Sequence, residues 1–197
     1  MRILLANSQK EEAMKYGNLN LGQIEALVNK LGGMNAVTAI LQGAMKEAVT
    51  VVSYITHTFT ILVDETKTVE ELVVEGNYDW SDSNVTSKNF PRSEEGTKDK
   101  KEVALFHFNK TMTSEDVIAE MKKDGYRPAT IFELLALGVT QPELQRGFPI
   151  IALGSDCTFD GSRHVAYLYE SAGGRNLHLL WLDNDWNDYC RFVGLRR

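Results

Sequence analysis

One order of elements constrains this chain most: between Val103 and Leu195 a strand-length run is followed by two capped helices and then four short strand-length runs. Val103 to Phe108 is strand-like. Thr113 with Asp116 can cap a helix whose Val117, Ile118 and Met121 form one apolar face before Gly125. Thr130 and Glu133 form a capping box ahead of Ile131, Leu134, Leu135 and Leu137, with Gly138 as the expected stop. The runs Pro149 to Leu153, Val165 to Tyr169, Leu177 to Leu182 and Phe192 to Leu195 are separated by turns containing Gly, Ser or Asp. Helices followed by strands indicate the α+β class.

Upstream, Ile24, Leu27, Val28 and Leu31 recur at helical spacing before Gly32-Gly33, and a second helix is expected from Asn35 to Glu47. Two β-branched runs, Val49 to Ile55 and Phe59 to Val63, are spaced to pair as a hairpin. Thr68 and Glu71 make a further capping box, for a short helix through Val74 that Gly76 would end. The segment 92–101 is charged and free of apolar residues, which reads as an exposed loop or linker. The expected organisation is therefore a helical and β-hairpin extension over 1–91, a linker over 92–101 and a domain over 102–197.

Charge and cysteine content exclude several classes. A net charge of -6 and a pI near 5.3 give phosphates no broad attraction, so neither nucleic acid nor an anionic membrane surface is an expected partner. The apolar start, Met1 to Ala6, is too short for a signal-peptide core or a membrane span, so the expected location is cytoplasmic, with surface display by another route left open. Cys157 and Cys190 form no CxxC pair, which suggests neither a disulfide framework nor a zinc site.

The string Gly125 to Gly138, GYRPATIFELLALG, with Phe148 to Ser155, FPIIALGS, resembles the scaffold of variable proteins of diversity-generating retroelements from archaea and uncultured bacteria. The ending Arg175 to Arg197, with its tryptophans, Arg191-Phe192 and basic end, is similar to their diversified C-terminus. The resemblance covers roughly the last half of the chain. It implies a C-type-lectin fold that displays a hypervariable surface, binds an unknown ligand such as a protein or cell-surface molecule, and catalyses nothing.

In such proteins a reverse transcriptase miscopies adenines, so randomised asparagine codons never yield Lys, Glu, Gln, Met or Trp. After Gln145 the chain has no Lys, Met or Gln, and Glu170 is its one Glu. Trp181 and Trp186, encoded without adenine, are then fixed anchors, and Arg191 and Phe192 join them as scaffold. Strand alternation turns Leu177 and Leu179 toward the core and Asn176, His178 and Leu180 toward the ligand. His164, Tyr169, Asn184, Asn187 and Tyr189 complete the expected variable binding face. Cys157 and Cys190 also fall in this stretch, and both are expected to be reduced and dispensable.

Two alternatives use the same fold. Trp186-Asn187-Asp188 matches a short calcium motif of carbohydrate-binding lectins, but no Glu-Pro-Asn or Gln-Pro-Asp loop accompanies it. A formylglycine-generating-type enzyme would use cysteine chemistry, and that reading rests on fold analogy alone. His57, His107, His164 and His178 lack metal-site spacing, and GxSxG and GxxxxGK[ST] are absent. No catalytic residue, metal or cofactor is expected.

Overall fold

The computed structural model describes residues 20–31, 33–42, 54–93 and 95–197. Two compact units divide at Thr50/Val51. In the first, α1 (Leu21–Lys30) starts at Asn20, whose side-chain oxygen accepts the Gln23 N–H while its own N–H donates to Gln23 Oε1, both at 2.9 Å. Residues 34–42 are helical as well, while 43–47 of the expected second helix lie outside the described residues.

The second unit is built on one mixed sheet. Its strands are β1 (Ile55–Asp64), β2 (Trp80–Ser81), β3 (Lys98–Phe106), β4 (Tyr126–Pro128), β5 (Ile150–Ile151), β6 (Cys157–Phe159), β7 (Ser162–Ser171), β8 (Gly174–Trp181) and β9 (Arg191–Arg196). The order across the sheet is β1-β3-β9-β5-β7-β8-β2, with β4 paired to β9 and β6 to β7. Helices α2 (Val69–Gly76), α3 (Ser114–Lys123) and α4 (Ile131–Thr140) complete an α+β unit.

Strand alternation gives this sheet two buried faces. Val103, Leu105, Ala166, Leu168, Leu177, Leu179, Val193 and Leu195 pack with α2 and α4 in the larger core. Ala104, Phe106, Val165 and Phe192 point the other way, into a smaller core with Val117 and Met121 of α3 and with Trp186. The helix starts follow the sequence reading. Thr68 and Glu71 form a reciprocal capping box, Thr113 Oγ1 accepts the Asp116 N–H at 3.2 Å, and Glu133 accepts the Thr130 N–H at 2.8 Å.

Gly138 does not stop α4; it lies inside the helix. A Cβ there would sit 2.1 Å from the Tyr78 hydroxyl, so the glycine is needed for close approach rather than termination. Buried Arg175 fastens the same junction, donating to Gly76 O and Gly138 O at 2.9 Å each.

Two expectations about the chain's organisation are corrected. Ile55 and Phe59 to Val63 do not face each other across a hairpin: both lie in the one strand β1, which runs antiparallel to β3 with Phe59 opposite Val103, and 49–53 lie outside the described residues. The segment 92–101 does not separate domains, because Lys98 to Lys101 begin β3 and the compact unit already starts at Val51. Charged residues suit this stretch because it pairs only with the outer strand β1, where Lys98 meets Asp64 at 2.7 Å and Lys101 meets Glu133 at 3.3 Å.

Among the described residues no helix is long and apolar enough to cross a membrane.

Candidate ligand-binding face

Strands β7 and β8 form a two-residue hairpin through Ala172 and Gly173, both at positive φ (52° and 82°), the geometry that matches the twist of paired strands. Its register sets Tyr167 opposite His178 and Tyr169 opposite Asn176. Behind the hairpin, the buried Gln145 amide donates to Tyr169 O at 2.8 Å and Asn176 O at 3.0 Å, tying the two strands together at that pair.

On the side away from the larger core, three rings stand side by side. Tyr167 and Tyr169 stack with centroids 5.0 Å apart, and His178 stacks on them at 5.9 and 6.4 Å. Trp80 of β2, 47% exposed, meets the His178 ring edge-on at 4.8 Å. An aromatic strip thus crosses β7, β8 and β2. Asp82 Oδ2 lies 2.9 Å from His178 Nδ1, and Asp82 Oδ1 is occupied by the Asn84 N–H at 2.8 Å. Burial, aided by the nearby Tyr169 phenol, pushes the Tyr167 hydroxyl up to about 12, so it stays a neutral donor and acceptor.

The 182–190 connection folds over the same side of the sheet. Trp186, 2% exposed, pairs its backbone with Met112 and donates its indole N–H to Ser114 Oγ at 2.8 Å. Outside it, Asn187 Nδ2 donates to the Tyr189 hydroxyl at 3.0 Å; Asn184 is half-exposed and Tyr189 exposed.

Of the residues expected on the binding face, Tyr169, His178 and Leu180 lie on this side of the hairpin, half-buried, and Asn184, Asn187 and Tyr189 lie on the connection. Leu177 and Leu179 are core, as alternation requires.

Three expected placements are corrected. His164 is 4% exposed on the opposite side of the sheet: it shares parity with Ala166 and Leu168, and its ring stacks on Phe159 at 3.9 Å. Asn176 has the right parity but is buried, flanked by Tyr169 and Trp80 on the neighbouring strands, with Nδ2 donating to Gly174 O at 3.2 Å. Trp181 is no buried anchor. It is 51% exposed because it falls at the end of β8, past Leu179 and the core, opposite His164. The other scaffold residues are buried or half-buried: Phe192 beside Trp186, and Arg191 with its guanidinium 4.6 Å from the Phe148 ring centroid.

Trp80, Tyr167 and Asp82 were not among the expected residues. Tyr167 has the parity of Tyr169 in the same run, so alternation alone could have found it. Trp80 and Asp82 reach the strip only through a two-residue parallel pairing with β8, and sequence periodicity carries no signal for that.

Both cysteines are free and buried, not surface positions. Cys157 belongs to the larger core and Cys190 to the smaller one, so the sheet lies between the thiols and forbids a disulfide. Burial pushes each thiol up to about 11, with Asp156 adding to the effect at Cys157. Native thiols should therefore react with a disulfide reagent at pH 8 about a hundredfold more slowly than an exposed cysteine, and both should titrate on denaturation. Fast reaction of either in the native state would contradict the buried placement.

No family model, curated protein or solved structure matches this chain.

Proposed function

We propose that this chain is a ligand-binding display protein whose C-terminal surface is diversified by a diversity-generating retroelement, with a C-type-lectin-type scaffold within the compact unit 51–197. The observation that carries the reading is a division of labour within β7, β8 and the 182–190 connection. Tyr169, His178, Leu180, Asn187 and Tyr189 are at least partly open to solvent, while Leu177, Leu179, Trp186 and Phe192 beneath them are buried. A surface that changes its residues and keeps its fold needs that separation. The pairing of β3 with β9 also supports the scaffold, since it brings 103–106 and 192–195 together.

The alternative of a cysteine-using oxidase gains nothing from two buried thiols with raised pKa values.

The test is genomic: DNA near the gene should carry a non-coding repeat of its 3′ end that differs only where the repeat has adenine. Absence of such a repeat from the complete source genome would sink the proposal. In the protein, joint replacement of Asn187 and Tyr189 by serine should cost no more than about 1 kcal/mol, because both sites are exposed. A melting-temperature loss as large as that of a core variant would contradict the division.

A further inference from the structure

We infer that two copies of this chain join along the outer edge of β1, antiparallel about Thr60, so that their sheets run on as one. The two edges of the sheet differ. At one end β2 has two residues, too few to template another strand, whereas β1 at the other end has ten and, among the described residues, no strand on its outer side. Proteins that stay single guard such an edge with lysine, proline, a bulge or a very short strand. β1 has no lysine, arginine or proline, its one acid, Asp64, closes it, and its bulge at Ile55/His57 comes before the regular stretch from Thr58 to Val63.

Register decides which groups face outward. The Glu65 N–H donates to Thr97 O at 2.7 Å, and the pairs before it include Val63–Asp99, Ile61–Lys101 and Phe59–Val103, so the odd-numbered residues bond to β3. The backbone N–H and C=O of Thr58, Thr60 and Leu62 therefore point away from the sheet. Their side chains are exposed, Leu62 at 48%, while Phe59, Ile61 and Val63 turn toward the larger core.

The strand that fits this edge is β1 itself. Turned about Thr60, Thr58 meets Leu62 of the second copy, Thr60 meets its own counterpart, and each such pair exchanges two backbone bonds. On the inner side Phe59 meets Ile61 and His57 meets Val63, so the half-buried Phe59 gains an apolar neighbour at the rim of the core. Like charges do not meet, because Asp64 falls opposite Thr56, and a charged foreign strand would find nothing between Thr58 and Val63 to pair with. A patch that contacts itself across a two-fold axis is the commonest closed assembly, and here it leaves only the two-residue β2 at each outer edge. The contact lies at the end of the sheet away from β7 and β8, so it does not depend on the function proposed for them.

The experiment measures the mass of the full chain by sedimentation equilibrium over about a hundredfold range of concentration. A two-chain particle is expected, and Thr60→Lys, which sets two ammonium groups face to face, should weaken it at least tenfold while the circular dichroism of the folded chain stays unchanged. A second measurement keeps the native edge: Thr60→Cys should be linked between copies by a short bis-maleimide, whereas Thr58→Cys should not, because in this register the two Thr58 positions stand four residues, about 13 Å, apart. Cys157 and Cys190 are buried and spared by the reagent. A parent chain that stays single at the highest concentration would overturn the inference, its edge being satisfied by its own residues or by water. A particle that survives Thr60→Lys, or that links Thr58→Cys as readily as Thr60→Cys, would overturn it as well.

Discussion

Trp186→Ala is expected to lower the unfolding free energy by about 3–5 kcal/mol and the melting temperature by roughly 6 to 20 °C. The indole fills the smaller core against Phe192, with ring centroids 6.1 Å apart, and its N–H is held by Ser114 Oγ, which in turn donates to Leu182 O. Truncation removes the largest side chain under the 182–190 connection and leaves the Ser114 hydroxyl without its donor. Trp181→Ala provides the comparison: with half its surface in water already, that indole should cost no more than about 1 kcal/mol. Thermal melts of both variants decide the matter, and equal losses would show that the indole of Trp186 is not the anchor of this connection.

Glu133→Ala should be nearly as damaging, by about 3 kcal/mol, because it breaks a buried ion pair and leaves the partners behind. Glu133 is fully buried. Its carboxylate takes two bonds from Arg127, at 2.6 and 2.9 Å, one from the Thr130 N–H at 2.8 Å and one from Lys101 at 3.3 Å. Burial alone would raise its pKa, but the bonds from Arg127 and the Thr130 N–H outweigh that and hold it below the usual glutamate range. A carboxyl whose folded pKa is depressed stabilises fully above the unfolded value of about 4.3 and loses that contribution as pH falls through the folded value. Asp64, drawn down to about 2 by Lys98 and Thr66, adds to the same acid window. Denaturant unfolding from pH 6 to pH 2 should show the stability of the parent falling and converging on that of Glu133→Ala. Parallel curves over the whole range would mean that Glu133 is not the group titrating.

Much of the local structure could be read from single residues, because caps and alternation act over a few positions. Thr68 with Glu71, Thr113, and Thr130 with Glu133 start their helices where side-chain chemistry allows, and Leu177 and Leu179 enter the core by strand parity. Long-range pairing was less legible. Nothing near Phe59 says that its partner is Val103, and the charges of Lys98 to Lys101 resemble a linker until Asp64 and Glu133 are seen beside them. The candidate face was legible by half. His164 was misplaced although its parity was available in the sequence. The burial of Asn176 and the exposure of Trp181 depend on where neighbouring strands stop, and that is decided by the whole sheet.

The position of β9 has a consequence for synthesis. This strand comes last in chain order within the sheet, yet it sits between β3 and β5 and also pairs with β4. A ribosome therefore produces every other strand before the one that joins them, and until then β3 and β5 present bare edges open to wrong partners. The pieces β1-β3 and β5-β7-β8-β2 cannot be joined before residues 191–196 are made, so a nascent chain interrupted by a stop codon or frameshift in the 182–190 connection is left with two separate pieces of sheet. Any process that rewrites that stretch is thereby screened at the level of the polypeptide: a copy that loses its reading frame yields material for degradation instead of a folded competitor.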